Sequence, residues 1–142
     1  IKFLIIGPAN DVYAKKMKAL TRDSQRIVFQ NTFIEDGEVA NLFHAADYSI
    51  FWFDDSVLTS SGIILSLSYG VPVITRNIPA AEMITDSKNG FLFNNAAELL
   101  AILKKLPNVE KPSKHAVVNT VINNTWISVV ERFTTMCVDL WN

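Results

Sequence analysis

The stretch Val57–Thr75, VLTSSGIILSLSYGVPVIT, decides the fold, because it joins a loop of small polar residues to a helix and then to a strand. Residues 60–62, Ser-Ser-Gly, fall at the first turn of the predicted helix, where backbone N–H groups lack a partner within the helix and the helix dipole favours an anion. Gly70 is predicted to end this helix, and Pro72 to open a buried strand. This order of elements is typical of α/β proteins that bind phosphate.

Apolar runs of strand length alternate with segments of helical period along the rest of the chain, as in βαβ units on a parallel sheet. The five predicted strands are Lys2–Gly7, Arg26–Gln30, Tyr48–Phe53, Pro72–Thr75 and Gly90–Phe93. Apolar residues recur at helical spacing between these strands and again after Trp126. We therefore predict an α/β, Rossmann-like three-layer domain with a roughly five-stranded parallel sheet and helices on both faces.

Length and composition favour a single domain spanning residues 1–142, with a loop or linker at 107–124 and a C-terminal helix at 125–142. The formal net charge of −1, with scattered basic residues, argues against nucleic acid as a partner. The single cysteine, Cys137, cannot form an internal disulfide, which favours the cytoplasm. No uninterrupted apolar stretch reaches the ~18 residues of a membrane span.

Ligands of open parallel sheets bind at the carboxyl ends of the strands, which here selects the loops at 7–10, 31–35, 54–62 and 76–82. Thr59–Gly62 is the phosphate candidate, because its hydroxyls can donate and Gly62 permits close approach of the backbone. An ordinary Ser/Thr helix cap is the other interpretation of the same residues. Arg76, at the end of the fourth strand, is either a bidentate partner for a diphosphate or a solvated surface residue.

Three pieces of the chain, in order, carry a family resemblance. They are IVFQNTFIEDGEVANLFHAADYSIF at 27–51, SSGIILSLSYGVPVIT at 60–75, and Glu82 followed by Ser87–Phe91, SKNGF. Together they resemble the C-terminal, donor-binding half of GT-B retaining glycosyltransferases of the group 1, or family 4, type, the large family that includes sucrose, glycogen and capsular polysaccharide synthases. The resemblance covers about residues 1 to 106.

The resemblance implies a domain that binds a UDP- or GDP-linked sugar, with the acceptor held by an N-terminal domain absent from this chain. Polysaccharide or cell-envelope glycan synthesis is implied, in the cytoplasm and at the inner face of the membrane through the parent protein. No metal and no further cofactor are implied, and no catalytic residue is identified. Taking the strand ends and the resemblance together, the predicted site residues are, for the donor diphosphate, Thr59, Ser60, Ser61, Gly62, Ile63 and Arg76; for the nucleobase and ribose, Thr32, Phe33, Ile34 and Leu65; and elsewhere in the cleft, Gly7, Pro8, Asp54, Asp55 and Glu82.

The chain departs from the family at the paired glutamates that contact the ribose and the sugar, since Val57 and Leu65 hold those places. Three explanations stay open: a divergent subgroup with other ribose contacts, a shifted register in which Asp54 or Asp55 supplies the carboxylate, or a degenerate domain. We favour the first, because residues 60–75 are otherwise intact. Because the N-terminal domain is absent, the fragment alone is expected to bind donor weakly and to transfer no sugar.

Two other functions fit the same pattern of strands and helices. A flavodoxin-like or receiver-like interaction domain shares the parallel sheet, but Gly7 and Pro8 stand where a receiver carries acids, and only Asp54 and Asp55 resemble its second acidic element. Half of a sugar-nucleotide epimerase also shares the fold, yet no additional catalytic acid or histidine is evident in the cleft.

Overall fold

The computed structural model of the chain describes residues 1–84, 87–122 and 126–141. The predicted loop at 107–124 and the predicted helix at 125–142 therefore extend at 123–125 and 142 into positions outside the described residues. The chain forms two compact units, Ile1–Leu42 and Phe43–Asn142.

The first unit is a parallel two-stranded sheet with its helices. Strand β1 (Phe3–Ile6) pairs with β2 (Ile27–Gln30), from Phe3 opposite Ile27 to Ile6 opposite Gln30. Helix α1 (Asp11–Thr21) connects them, and Asn10 caps it by accepting a hydrogen bond from the Tyr13 N–H at 2.9 Å. Helix α2 (Asp36–Ala45) begins in this unit. Both strands thus end at the same edge of the sheet.

The second unit holds three parallel strands in the order β3 (Ser49–Phe51), β4 (Val73–Arg76) and β5 (Gly90–Phe93). Its helices are α3 (Ser61–Ser68), α4 (Ala96–Lys105), α5 (Lys114–Asn119) and α6 (Trp126–Trp141), with short 3-10 turns at Pro79–Ala81 and Leu106–Asn108.

Neighbouring residues on the central strand β4 face opposite sides of this sheet and enter two separate cores. Val73 packs with Ile63 and Leu67 of α3 and with Val117 of α5. Ile74 packs with Phe91 and Phe93, and α4 covers them with Leu99, Ile102 and Leu103. Helices therefore flank both faces of the second sheet, as a three-layer α/β fold requires.

All five predicted strands are present, each within two residues of its predicted bounds, and within each sheet the paired strands are parallel, so the α/β fold class is confirmed. The ladder hydrogen bonds divide them into sheets of two and three strands. The prediction of a loop at 107–124 differs from the structure in one respect, because helix α5 lies within this span. Ser113 starts this helix by accepting from the Ala116 N–H at 3.2 Å, and Val117 anchors it in the core.

A reciprocal cap at the start of α4 should make the stability of the protein depend on pH. Asn95 accepts from the Glu98 N–H at 3.0 Å, while the Glu98 carboxylate accepts from the Asn94 backbone N–H at 2.8 Å and from the Asn94 and Asn95 side chains. These hydrogen bonds, that from the Asn94 backbone foremost, lower the pKa of Glu98 from its usual value of 4.5. Because the folded pKa is the lower one, the stabilisation is complete above the unfolded pKa and is lost as pH falls through the folded pKa.

We therefore expect Glu98→Gln to lose less thermal stability than the wild type between about pH 6 and pH 3. Melting followed by circular dichroism across that range measures the effect. Glu110→Gln removes an exposed carboxylate that accepts no hydrogen bond from the described residues, and it should keep the wild-type pH profile. Parallel profiles for the wild type and Glu98→Gln would contradict the assigned role of this carboxylate.

Candidate functional site

The first turn of α3 lies at the carboxyl end of β3, where the sequence predicts the phosphate site. Ser60 is the N-cap, and its hydroxyl oxygen accepts from the Ile63 N–H at 3.3 Å. Ser61 is exposed, and among the described residues no acceptor takes the N–H of Ser61 or Gly62. The helix-cap interpretation of Ser60 is thus realised, and it leaves N–H donors of the first turn open to a ligand.

Aromatic packing beneath this turn explains its small residues. A Cβ atom on Gly62 would approach the Phe51 ring to 3.1 Å, and that ring stacks on Phe53 at 5.3 Å between centroids. Ile63 is fully buried and fixes the helix on the core, whereas Thr59 on the preceding loop is exposed. The backbone at 59–63 is therefore held by its apolar neighbours while its polar groups face outward.

Arg76, predicted to bind the diphosphate, is engaged by its own unit. Its Nη2 atom lies 2.6 Å from the Asp55 carboxylate, and Nη1 donates to the Phe53 carbonyl oxygen at 3.3 Å. Its Nε atom is buried and has no acceptor among the described residues. The guanidinium is thus neither freely solvated nor fully satisfied, and Asp55 occupies the side at which an anion would bind.

The neighbouring Asp54 has a local structural role. Its carboxylate accepts from the Ser56 N–H at 3.1 Å, and its carbonyl oxygen accepts from the Val57 N–H at 3.2 Å. The hydrogen bonds from Ser56 lower the pKa of Asp54 below its usual value. Asp54 therefore stabilises the turn that presents Asp55 to Arg76.

The remaining predicted residues of the second unit lie at different places. Glu82 follows the 3-10 turn Pro79–Ala81, and its side chain is exposed between the buried Ala81 and the partly buried Met83. Leu65 lies on α3 beyond the first turn and is 42% exposed, whereas Val57 is partly buried against the core. The structure thus brings residues 54, 55, 59–63 and 76 to the carboxyl ends of β3 and β4, with Leu65 and Glu82 further along the chain.

In the first unit, the predicted residues follow β1 and β2 at one edge of the sheet. Gly7 has φ +147°, which favours glycine, and beyond Pro8 the Ala9 N–H donates to the Asn31 side chain at 2.7 Å. The Thr32 hydroxyl donates to the Phe33 carbonyl oxygen at 3.2 Å, and Phe33 is 67% exposed. Phe33 therefore does not cover a core, and Ile34 beside it is only partly buried.

A cleft of about 450 Å³ opens at this edge of the first sheet. It is lined by Ile6, Gln30, Thr32, Glu38, Asn41 and Leu42. Of these, only Thr32 was predicted. Glu38 and Asn41 lie three residues apart in α2 and so share a helix face, a spacing that the sequence displays and that could have revealed them.

No three His, Cys, Asp or Glu side chains within 1–84, 87–122 and 126–141 are grouped so as to hold a metal ion. Over the same residues, no helix is both long and apolar enough to cross a bilayer.

Comparison with known proteins shows the family to which the chain belongs. Residues 1–108 match the family described as Glycosyl transferases group 1, in agreement with the predicted span. The fold is similar to that of a solved structure described as the lipopolysaccharide outer core galactosyltransferase WaaB, apo form, with a TM-score of 0.74 and 16% sequence identity. The similarity covers 97% of this chain and 40% of that chain. Because the match to the family extends over most of its length, the chain belongs to the glycosyl transferases group 1 family.

Proposed function

We propose that this chain is the donor-binding half of a glycosyltransferase, which moves a sugar from a nucleotide-diphosphate sugar to an acceptor in polysaccharide or cell-envelope glycan synthesis. The observation that carries the proposal is the first turn of α3, whose open N–H groups lie within the span that matches the family. The family match favours this function over the receiver-like and epimerase interpretations.

In the proposed reaction, the bond between the sugar and its phosphate breaks and the nucleoside diphosphate leaves, while the sugar forms a new bond to a hydroxyl oxygen of the acceptor, which loses its proton. The N–H groups of Ser61 and Gly62 and the dipole of α3 would stabilise the negative charge that develops on the leaving phosphate. Arg76 would add a cation once the phosphate takes the place of the Asp55 carboxylate. No metal or further cofactor enters this scheme.

The acceptor would be held by an N-terminal domain of the same enzyme. The chain spans 40% of the length of the galactosyltransferase chain that it resembles, which leaves room for such a domain. We place the reaction in the cytoplasm, with the parent protein peripheral to the inner face of the membrane. Without the partner domain, donor binding is expected to be weak and transfer absent.

Substitution of Ser61 with glutamate tests the assignment of the diphosphate to α3. The helix dipole stabilises a carboxylate at the first turn, so the fold should be retained. The same carboxylate should repel a bound diphosphate. We expect UDP or GDP to bind Ser61→Glu at least about tenfold more weakly than the wild type, about 1.4 kcal/mol. Titration followed by backbone amide chemical shifts at 60–62 and 32–34 measures the effect.

Ser68→Glu is the matched control, because it adds the same charge to an exposed position at the other end of the same helix. It should bind nucleotide within about twofold of the wild type, since Ser68 is remote from the first turn. Equal weakening in both variants would indicate a general charge effect. No weakening in Ser61→Glu would remove the diphosphate from this helix end.

A further inference from the structure

The cleft at the carboxyl ends of β1 and β2 has a polar lining of a specific kind. Ile6 and Leu42 supply apolar surface, while Gln30, Thr32, Glu38 and Asn41 supply hydrogen-bonding groups. Its volume of about 450 Å³ falls within the range of small-molecule sites. Apolar side chains suit the face of a flat ring, and the polar ones suit its edge.

The polar groups of this cleft are rich in unused acceptors. A carboxylate such as that of Glu38 accepts hydrogen bonds, and within the described part of the chain none is donated to it. The Thr32 hydroxyl donates to the Phe33 carbonyl oxygen, so its lone pairs are what it offers to the cleft. The two amides, Gln30 and Asn41, can donate as well as accept. A fitting ligand therefore presents at least two adjacent donors beside an acceptor.

Guanine meets this requirement and uracil does not. The guanine N1–H and N2–H groups point in parallel and match the two oxygens of one carboxylate, as the two N–H groups of an arginine fork do. Guanine O6, beside them, accepts from an amide. Uracil has one N–H between two carbonyl oxygens, so a carboxylate that accepts from it also faces two acceptors and is repelled.

We propose that this cleft selects guanine over uracil, with Glu38 as the specificity-determining residue, so that the donor is a GDP-linked sugar. The inference rests on the proposed function, since a nucleotide-linked donor is what would bring a base to this cleft. It also supplies a polar contact to the nucleotide in a chain where Val57 and Leu65 replace the glutamates of the family.

Titration of the 142-residue chain with GDP, UDP and inosine diphosphate tests the proposal, followed by the amide shifts of residues 30–42. Discrimination of about 1–3 kcal/mol for a bidentate base contact predicts that GDP binds at least about tenfold more tightly than UDP. Inosine diphosphate lacks the 2-amino group and should fall between them. Glu38→Gln should weaken GDP binding about tenfold and make the affinity for GDP equal to that for inosine diphosphate. Its affinity for UDP should stay within about twofold of the wild type.

Asp23→Asn is the control, because Asp23 is exposed, carries the same charge, precedes β2 and lies outside the cleft and the predicted ligand loops. It should keep the wild-type preference for GDP. Equal or tighter binding of UDP, or an unchanged preference in Glu38→Gln, would overturn the base assignment while leaving the donor function intact. Failure of all three nucleotides to give saturable shifts at millimolar concentration would overturn the donor function itself.

Discussion

Gly90→Ala is expected to lower the free energy of unfolding by about 3 kcal/mol or more, among the largest effects that a single added methyl group produces. Gly90 opens β5 and pairs with Val73 of the central strand. A Cβ atom there would overlap the Val73 carbonyl oxygen and lie 2.9 Å from its carbonyl carbon and 3.1 Å from the Ile84 side chain. Urea denaturation followed by circular dichroism measures the change.

Relaxation cannot relieve this overlap cheaply, because the obstacle is backbone in the middle of a sheet. Strand β4 is held on one side by β3 and on the other by β5, and the Val73 N–H donates to the Asn89 carbonyl oxygen at 2.9 Å. Moving β5 away would break this ladder beside Arg76. The added methyl group therefore costs hydrogen bonds as well as contact energy.

Gly37→Ala is the matched control for this substitution. Gly37 lies in α2, and apart from its chain neighbours and the backbone of the helix itself, no atom of the described residues lies within 4 Å of a Cβ built on it. Alanine is the better helix former, so stability should be unchanged or rise by up to about 1 kcal/mol. A loss below about 1 kcal/mol for Gly90→Ala would mean that β5 can shift away from β4.

The strands could be predicted from the sequence because each is a short, nearly continuous apolar run. Such a run is a property of the local sequence alone and is typical of buried parallel strands. Their pairing could not be predicted, because apolar character does not reveal which strands share a ladder. Among the described strands, β1 pairs with β2, and β4 pairs with β3 and β5. Helix α5 was missed because six residues that bury only Val117 carry too little periodicity to detect. Its cap at Ser113 was the available signal.

In the candidate site, too, features set by local sequence could be predicted, whereas contacts between distant residues could not. The Ser60 cap follows from local sequence, because a serine before an apolar helical run commonly caps it. The contact between Asp55 and Arg76 joins residues on separate elements, and nothing in their local sequence specifies it. The exposure of Phe33 likewise depends on packing, so position alone could not choose between a core role and a ligand role.

Phe93→Ala is the second substitution with a large expected effect, a loss of about 3 to 5 kcal/mol in the free energy of unfolding. Phe93 is fully buried and packs with Ile74 and Phe91 under helix α4, and its ring lies 5.1 Å from that of Trp52 between centroids. Truncation would open a cavity between the sheet and α4. Thermal and urea unfolding measure the loss, and Phe93→Leu, which refills part of the cavity, should recover most of it.

Phe93 also bears on the candidate site, since its carbonyl oxygen accepts from the Asn77 N–H at 2.9 Å, next to Arg76. Phe33→Ala is the matched control, because the same side chain is removed from an exposed position. It should change stability by less than about 0.5 kcal/mol while weakening nucleotide binding if Phe33 covers the base. The two substitutions should therefore have different effects: Phe93→Ala should lower stability, and Phe33→Ala should weaken nucleotide binding. Similar losses of stability in both variants would show that Phe33 is packed in solution and would remove it from the nucleotide site.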